Sequence, residues 1–450
     1  MSSPKVALIS LGCTKNLVDS EKILGRMVQG GAVLCQDPST ADTLIINTCG
    51  FIKEAKEESI DTILQMAKLK EEAHLKKLIV TGCLAQRYQE DLLQEIPEID
   101  HVVGLERLDS LVQFTGLRPS NGSCHEEKYS IRLTPRHYAY LKISEGCDNR
   151  CSYCAIPAIR GAFRSRPMEN LLQEARQLVE TGAREINIIA QDSTLYGIDL
   201  YGRQRLHELL QGLSEIRPLR WIRLLYTHPA HFYPALVREI AKNEKVVKYI
   251  DLPIQHINDN ILRKMGRGIN HRGIEELIDG LRKEVPGLFL RTTVIVGFPG
   301  EGEEEYKELL GFLEKTAFER LGAFCYSREE GTVAASMKGS VPQKIKRKRL
   351  KGIMELQQRI TFEHNARWVG RDLEVLIEGP CGQEEANLPG AGQAPYHHGA
   401  GQAWLARFYG DAPEADGNVV VYGSGLAQGE FRRVSVILAE GYNLVARCVE

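Results

Sequence analysis

Three cysteines, Cys147, Cys151 and Cys154, lie within eight residues of the run Gly146-Cys-Asp-Asn-Arg-Cys-Ser-Tyr-Cys-Ala155, so their thiols must converge wherever this segment folds. A C-x3-C-x2-C triplet can hold three corners of a cubane [4Fe–4S] cluster and leaves the fourth iron without a protein ligand. Structural zinc sites close their tetrahedron with four ligands, whereas catalytic metal sites keep a position open. An open iron is a place where a small molecule can chelate through its amino and carboxylate groups. Two plainer readings stand beside this one: buried small hydrophobes, or a zinc knuckle borrowing a fourth ligand such as Cys124.

A second set of cysteines is spread through the first part of the chain. Val6–Ser10, Thr43–Ile46 and Leu78–Val80 are short apolar runs separated by stretches of helical length, such as Lys53–Lys70 with Ile60, Ile63, Leu64 and Ala67 on one face. This β–α–β–α–β alternation predicts a doubly wound parallel sheet with right-handed crossovers over residues 1–125. The runs end in Leu11-Gly-Cys13, Asn47-Thr-Cys-Gly50 and Thr81-Gly-Cys83, so the cysteines recur at intervals of 36 and 34 residues. Parallel strands bring their carboxyl ends to one edge, where such folds bind ligands. Cys13, Cys49 and Cys83 are therefore expected to meet as a second three-cysteine iron–sulfur site. Gly12, Gly50 and Gly82 would let the backbone approach a bulky inorganic group. The alternative is three unrelated cysteines in core strands.

Residues 130–366 continue the α/β pattern. Strand-like runs at Tyr138–Ile143, Glu185–Ala190, Trp221–Leu225, Val247–Leu252, Leu288–Val296 and Gly322–Tyr326 give six units, which predicts an open or partial (β/α) barrel. The triplet follows the first of these strands, at the edge where such barrels do their chemistry. Gln191–Thr194, Tyr226–Pro229, Pro253–His256 and Gly297–Glu301 follow later strands and are further site elements. His228 and His256 are read as structural hydrogen-bonders. The basic stretch from Lys344 to Arg367 is expected to form a solvated helix docked by Ile345, Leu350, Ile353, Leu356 and Ile360.

From 367 to 450 the pattern turns to short β-like runs at Leu373–Ile377, Gly417–Tyr422, Phe431–Leu438 and Tyr442–Cys448, predicting a small antiparallel β-barrel. The 382–403 stretch, with His397-His398, reads as a loop insertion without ligand-spaced partners. Arg371–Glu450 holds five Arg, no Lys and eleven acidic residues. Nucleic acid demands positive charge, so this barrel is expected to face a basic partner instead.

Composition agrees with a metalloprotein of the cytosol. Eleven cysteines, an odd number, argue for ligands rather than a disulfide framework. A net charge of −2 provides no global field for nucleic acid. No apolar run approaches the ~20 residues of a membrane span, and the N-terminus lacks a signal-peptide pattern, so a cytoplasmic location is expected.

The C-x3-C-x2-C spacing matches the signature of radical S-adenosylmethionine (SAM) enzymes. Over nearly its whole length the chain resembles the methylthiotransferase family of that superfamily. It shows the N-terminal triplet domain, a radical SAM core, and a C-terminal barrel of TRAM type. Leu11-Gly-Cys-Thr-Lys-Asn-Leu-Val-Asp-Ser-Glu21 and Tyr140–Pro157, with Arg160-Gly161, resemble the RimO branch, which modifies a ribosomal protein. The tRNA-modifying MiaB branch usually carries a Gln-Met-Asn version of the first stretch. The resemblance implies β-methylthiolation of an aspartate in the twelfth small-subunit ribosomal protein, with two SAM and a sulfur donor. Cys147, Cys151 and Cys154 would hold the [4Fe–4S] cluster that binds SAM, and Cys13, Cys49 and Cys83 the auxiliary [4Fe–4S] cluster. Implied partners are a basic ribosomal protein, free or on the ribosome, and a reductant such as flavodoxin or ferredoxin. The alternatives are methylthiolation of a tRNA adenosine and a non-catalytic iron–sulfur scaffold on the ribosome. The 382–403 insertion and Ala406-Arg407, where the family often has Gly-Arg, depart from the family pattern.

Overall fold

The computed structural model describes residues 3–72, 75–117, 130–382 and 402–449. Cys124, His397-His398 and nearly all of the 382–403 stretch lie outside these described residues.

Near the N-terminus, β1 (Lys5–Ser10), β2 (Val33–Leu34), β3 (Thr43–Thr48), β4 (Lys77–Gly82) and β5 (His101–Val103) form a parallel sheet in the order β2-β1-β3-β4-β5. The apolar runs of β3 and β4 are buried along their length because helices cover both faces. Ser10 stands opposite Asn47 and Thr48 opposite Gly82, so the three central strands end nearly level. The edge strands β2 and β5, two and three residues long, carry no readable periodicity and were not expected.

β6 (Tyr138–Lys142) begins the central unit. A two-residue pair, β7 (Ser144–Glu145) with β8 (Arg164–Ser165), flanks the triplet loop. β9 (Glu185–Ile189), β10 (Trp221–Leu224), β11 (Val246–Asp251), β12 (Phe289–Val296) and β13 (Arg320–Cys325) complete an open, all-parallel sheet of six strands, ordered β13-β12-β11-β10-β9-β6. Side chains alternate between its faces. Ala139, Leu141, Ile186, Ile188, Ile222 and Leu290 pack under the surrounding helices. Tyr138, Tyr140, Trp221, Tyr249 and Phe289 face the other way and join the core of the C-terminal barrel.

That barrel is closed by β14 (Asp372–Pro380), β15 (Ala403–Phe408), β16 (Val419–Tyr422), β17 (Phe431–Glu440) and β18 (Asn443–Cys448). Four seams are antiparallel, but β16 and β18 pair in parallel, because the β17–β18 hairpin folds back between β17 and β16. β15 was not expected, since it directly follows the insertion.

Four acidic residues of the barrel, Glu378, Asp411, Glu414 and Asp416, turn inward onto the core. Glu378 pairs with Arg407, and Arg407 Nη2 donates to Glu185 Oε2 at 2.6 Å. Arg320 pairs with Asp411 at 2.6 Å, Arg291 with Asp416 at 3.4 Å, and Tyr138 and Tyr249 donate to Glu414 and Asp416. Much of the barrel's negative charge is thus neutralised within the chain and does not by itself specify a basic partner. Tyr138, Glu185 and Arg320 open β6, β9 and β13, so the barrel docks toward the amino end of the sheet, away from the triplet loop that follows β6.

Helix Gln343–Ala366 is docked by Ile353 and Ile360 with Lys344, Arg347, Lys348 and Lys351 exposed, as expected, but three positions depart from that pattern. Ile345 is 37% exposed, whereas Lys346 and Arg349 are buried. Lys346 Nζ donates to Tyr326 O at 2.7 Å, and Arg349 Nη1 to Glu301 Oε1 at 2.7 Å. Two of its cations therefore clasp the edge of the core instead of facing water.

Candidate metal centres

In the N-terminal sheet, Cys13 caps helix Thr14–Gln29, Cys49 follows β3, and Cys83 opens helix Cys83–Arg87. Cys13 is exposed while Cys49 and Cys83 are buried, and all three are free thiols. Burial pushes the Cys49 thiol up and Cys83 to about 11, each raised further by its neighbours in the set and drawn back by Arg160. The three strand ends lie side by side, and Cys83 Sγ reaches Asn16 Oδ1 in the helix that Cys13 caps. A Cβ on Gly12, whose φ is +86°, would lie 2.6 Å from Cys49 Cβ. On Gly50 and Gly82 it would strike the backbone at Leu84 and Thr48. The glycines therefore allow the strand ends to close on one another.

Asn16 locks these ends. Its Nδ2 donates to Leu11 O at 3.0 Å and Thr48 O at 2.9 Å, while its Oδ1 accepts from the Cys83 thiol at 3.5 Å. Asn47 Nδ2 in turn donates to Asn16 O and Ser20 Oγ, each at 2.8 Å.

The second triplet occupies the loop between β7 and helix Ile156–Arg160. Cys147 is buried, Cys151 and Cys154 half-buried, and all are free. Burial drives Cys147 to about 11 and Cys154 to about 12, with the neighbouring sulfurs adding to both shifts. The Ile156 N–H donates to Cys154 Sγ at 3.5 Å, and Arg267 Nη1 to Cys151 Sγ at 3.5 Å. Thiols held this high do not ionise alone at neutral pH; a bound cationic centre would deprotonate them. Two groups of three converging free thiols, each with a buried arginine alongside, fit two three-coordinated iron–sulfur clusters. Arg160, Arg267 and Asn16 were missed as site residues because their partners lie far away in sequence.

The two triplets are physically joined. Cys83 packs with Ala155 and Ile159 from the helix that follows Cys154. Arg160, on that helix, donates to Asn16 Oδ1 at 2.6 Å, Asp19 Oδ2 at 3.0 Å and Glu145 Oε1 at 2.9 Å. Lys142, at the end of β6, binds Asp19 and also Glu145.

The later site elements do follow β9 to β12. Asp192 Oδ2 accepts from Asn149 in the triplet loop at 2.8 Å and meets His231 Nδ1 at 2.7 Å. Asp192, His228 and His231 cluster closely enough to bracket a metal ion. Burial, then Arg267, holds His228 down to about 2, so its ring is neutral, and its Nδ1 accepts from the Ala230 N–H at 3.2 Å. The ring proton therefore sits on Nε2, and the ring stacks on His231, which holds Asp192. His256 likewise accepts from the Asn258 N–H at 3.0 Å. Each ring thus makes one structural hydrogen bond through Nδ1 and leaves its buried Nε2 without a hydrogen-bond partner among the described residues. The Gly297–Glu301 turn is pinned by the Gly297 N–H on Glu301 Oε2 at 2.7 Å.

Three family models match the chain: the uncharacterized protein family UPF0004 over residues 5–104, the radical SAM superfamily over 141–313, and the TRAM domain over 369–449. Ribosomal protein uS12 methylthiotransferase RimO of Geobacter sulfurreducens is 45% identical over 99% of this chain and 98% of its own. The RimO of Desulforamulus reducens is 45% identical over 99% and 100%. Among solved structures, the radical SAM methyltransferase TsrM from Kitasatospora setae superposes with a TM-score of 0.56 at 14% identity, covering 74% of each chain. The cobalamin-dependent SAM radical enzyme OxsB gives 0.51 at 14% identity, covering 78% of this chain and 56% of its own. At such identity these two structures speak for the fold alone. Full-length likeness to the RimO proteins goes further: the chain belongs to the methylthiotransferase family of radical SAM enzymes, in its RimO branch.

Proposed function

We propose that this chain methylthiolates the β-carbon of an aspartate in ribosomal protein uS12, consuming two SAM and a sulfur donor. The observation that carries the reading is the pair of separate three-cysteine sets, one at the carboxyl edge of each parallel sheet, joined through Arg160. Cys147, Cys151 and Cys154 hold one [4Fe–4S] cluster, and Cys13, Cys49 and Cys83 the other. Bound there, the clusters and SAM supply the radical that activates an unreactive C–H bond and the sulfur that replaces its hydrogen.

The chain's own residues shape the setting. The core sheet and the barrel wall off the amino end, so reactants meet only at the carboxyl edge. Asn149 and Asp192 tie the triplet loop to β9, and Arg267 offsets negative charge at Cys151. Arg160 and Lys142 fix the two edges relative to one another. A division at 1–125, 130–366 and 367–450 assigns one sheet to each task, with the barrel as closure. The reductant is a small electron carrier such as flavodoxin or ferredoxin, and the setting is the cytoplasm. Among the described residues no helix is long and apolar enough to cross a membrane.

The test is anaerobic iron and sulfide analysis with electron paramagnetic resonance, alongside mass spectrometry of uS12 treated with enzyme, SAM, sulfide and reductant. About eight irons in the wild type and about four in the Cys13→Ala/Cys49→Ala/Cys83→Ala variant are expected. The wild type should add one methylthio group to uS12 and the variant none. Modification of a tRNA instead, or no product from a fully loaded enzyme, would overturn the reading.

A further inference from the structure

Lys15 stands two residues beyond Cys13, in the first turn of helix Thr14–Gln29, and is only 8% exposed. A cation there opposes the helix dipole, whose amino end already carries partial positive charge. Burying a charge is also costly unless an opposite charge meets it. The neighbouring cations obey that rule: Lys142 and Arg160 share Asp19 and Glu145. Lys15 does not, for among the described residues its ammonium forms no ion pair. Its Nζ lies over the face of the Tyr226 ring, 2.9 Å from the centroid.

Tyr226 places this cation at the chemistry. It stands two residues past Leu224, the last residue of β10, at the carboxyl edge of the core. Its φ is +57°, a left-handed conformation that a bulky residue adopts only when its surroundings impose it. Its N–H donates to Asp251 Oδ2 at 3.0 Å, its carbonyl accepts from the Ser193 N–H at 2.9 Å, and its hydroxyl meets Thr14 Oγ1 at 3.1 Å. Two backbone bonds and one hydroxyl contact thus fix Tyr226, and its ring meets Lys15 between the helix capped by Cys13 and the core edge. An apolar or neutral side chain would serve packing at that point equally well. A buried ammonium without an ion pair among the described residues can receive an anion that arrives with the reactants.

We propose that Lys15 is the specificity-determining cation that receives the carboxylate of the substrate aspartyl side chain and holds it beside the Cys13 edge. This rests on the reading that the substrate is an aspartate of uS12. A carboxylate bonded to Lys15 would have its β-carbon one bond away, fixed at the seam of the two cysteine sites. The cation also selects against asparagine at the same place, because an amide leaves the buried charge unpaired.

The test uses the anaerobically reconstituted enzyme and purified uS12, compared with uS12 whose target aspartate is replaced by asparagine, with affinity read by fluorescence anisotropy. The wild type should prefer the aspartate form on the order of 100-fold, as expected for a buried charge pair. Lys15→Met keeps the linear stem without the charge and should erase the preference, whereas Lys15→Arg should retain part of it. A preference that survives in Lys15→Met overturns the proposal. So does a wild type that binds both forms equally, an outcome that needs no variant to fold. If the wild type methylthiolates uS12 while either result is obtained, only the role of Lys15 falls. A wild type inert towards uS12 removes the function reading and this proposal with it.

Discussion

Arg160 donates to Asn16 Oδ1 at 2.6 Å, although 144 residues separate them, and this bond joins the helix behind one cysteine triplet to the helix in front of the other. Asn16 Oδ1 also accepts from the Cys83 thiol. One carbonyl oxygen therefore senses both edges. The guanidinium that reaches it is buried and held by two carboxylates, so the spacing of the two sites is set by directional bonds.

Replacing Arg160 by Met should leave Asp19 and Glu145 sharing Lys142 alone. Breaking a buried pair this way costs on the order of 3–5 kcal/mol. Urea denaturation should show a lowered midpoint, with Arg160→Lys falling between the variant and the wild type. An unchanged midpoint would mean that water reaches this seam and screens it.

Gly12→Ala asks for a side chain where Cys49 already sits, at 2.6 Å from its Cβ, and at a φ of +86°. The backbone conformation alone costs about 1–2 kcal/mol, and the contact adds to it. The N-terminal thiols should be pushed apart, so iron at Cys13, Cys49 and Cys83 should be lost while iron at Cys147, Cys151 and Cys154 stays. Iron analysis of Gly12→Ala beside each triple cysteine variant checks this.

Arg267 places positive charge on Cys151 Sγ at 3.5 Å. Reduction adds an electron to the cluster we assign there, and a nearby cation favours the reduced form. Arg267→Gln should therefore lower the midpoint potential of that cluster, by tens of millivolts in order of magnitude. A redox titration followed by electron paramagnetic resonance reads the shift directly; no change would mean that the guanidinium is screened from the iron.

Glu378 links the barrel to the core. Burial alone would raise its carboxyl, but the His137 hydrogen bond and the Arg407 charge more than offset this and hold it at about 2. A depressed folded-state value means stability that is fully present above the ordinary value of 4.5 and is lost as pH falls through about 2. The whole contribution is roughly 3 kcal/mol. Urea midpoints measured from pH 5 down to 3 should fall more steeply in the wild type than in Glu378→Gln. Parallel slopes would show that the pair contributes nothing to docking the barrel.

How much of this was legible in the chain depended on whether a signal was local. The strands carrying the cysteines announced themselves as apolar runs ending in Gly and Cys, and β1, β3 and β4 lie over those runs. β2, β5 and β15 did not, because two- and three-residue edge strands have no period to read and β15 follows an insertion. The charge of the barrel was counted correctly, yet its meaning was not in the count. Asp411, Asp416 and Glu378 meet arginines from the core strands and from the barrel itself, and pairings across such distances leave no trace in composition.

The chemistry available is written in the chain: two sets of three thiols, one clustered by spacing and one by the repeat of the βα unit. Spacing suffices because chain connectivity and strand polarity dictate where those thiols go. Which cations surround them follows from the packing of the folded chain. Lys15, Arg160 and Arg267 look like ordinary surface residues in the chain. Burial and the identity of their partners, which depend on how the two sheets dock, turn one into an unpaired charge and the others into braces.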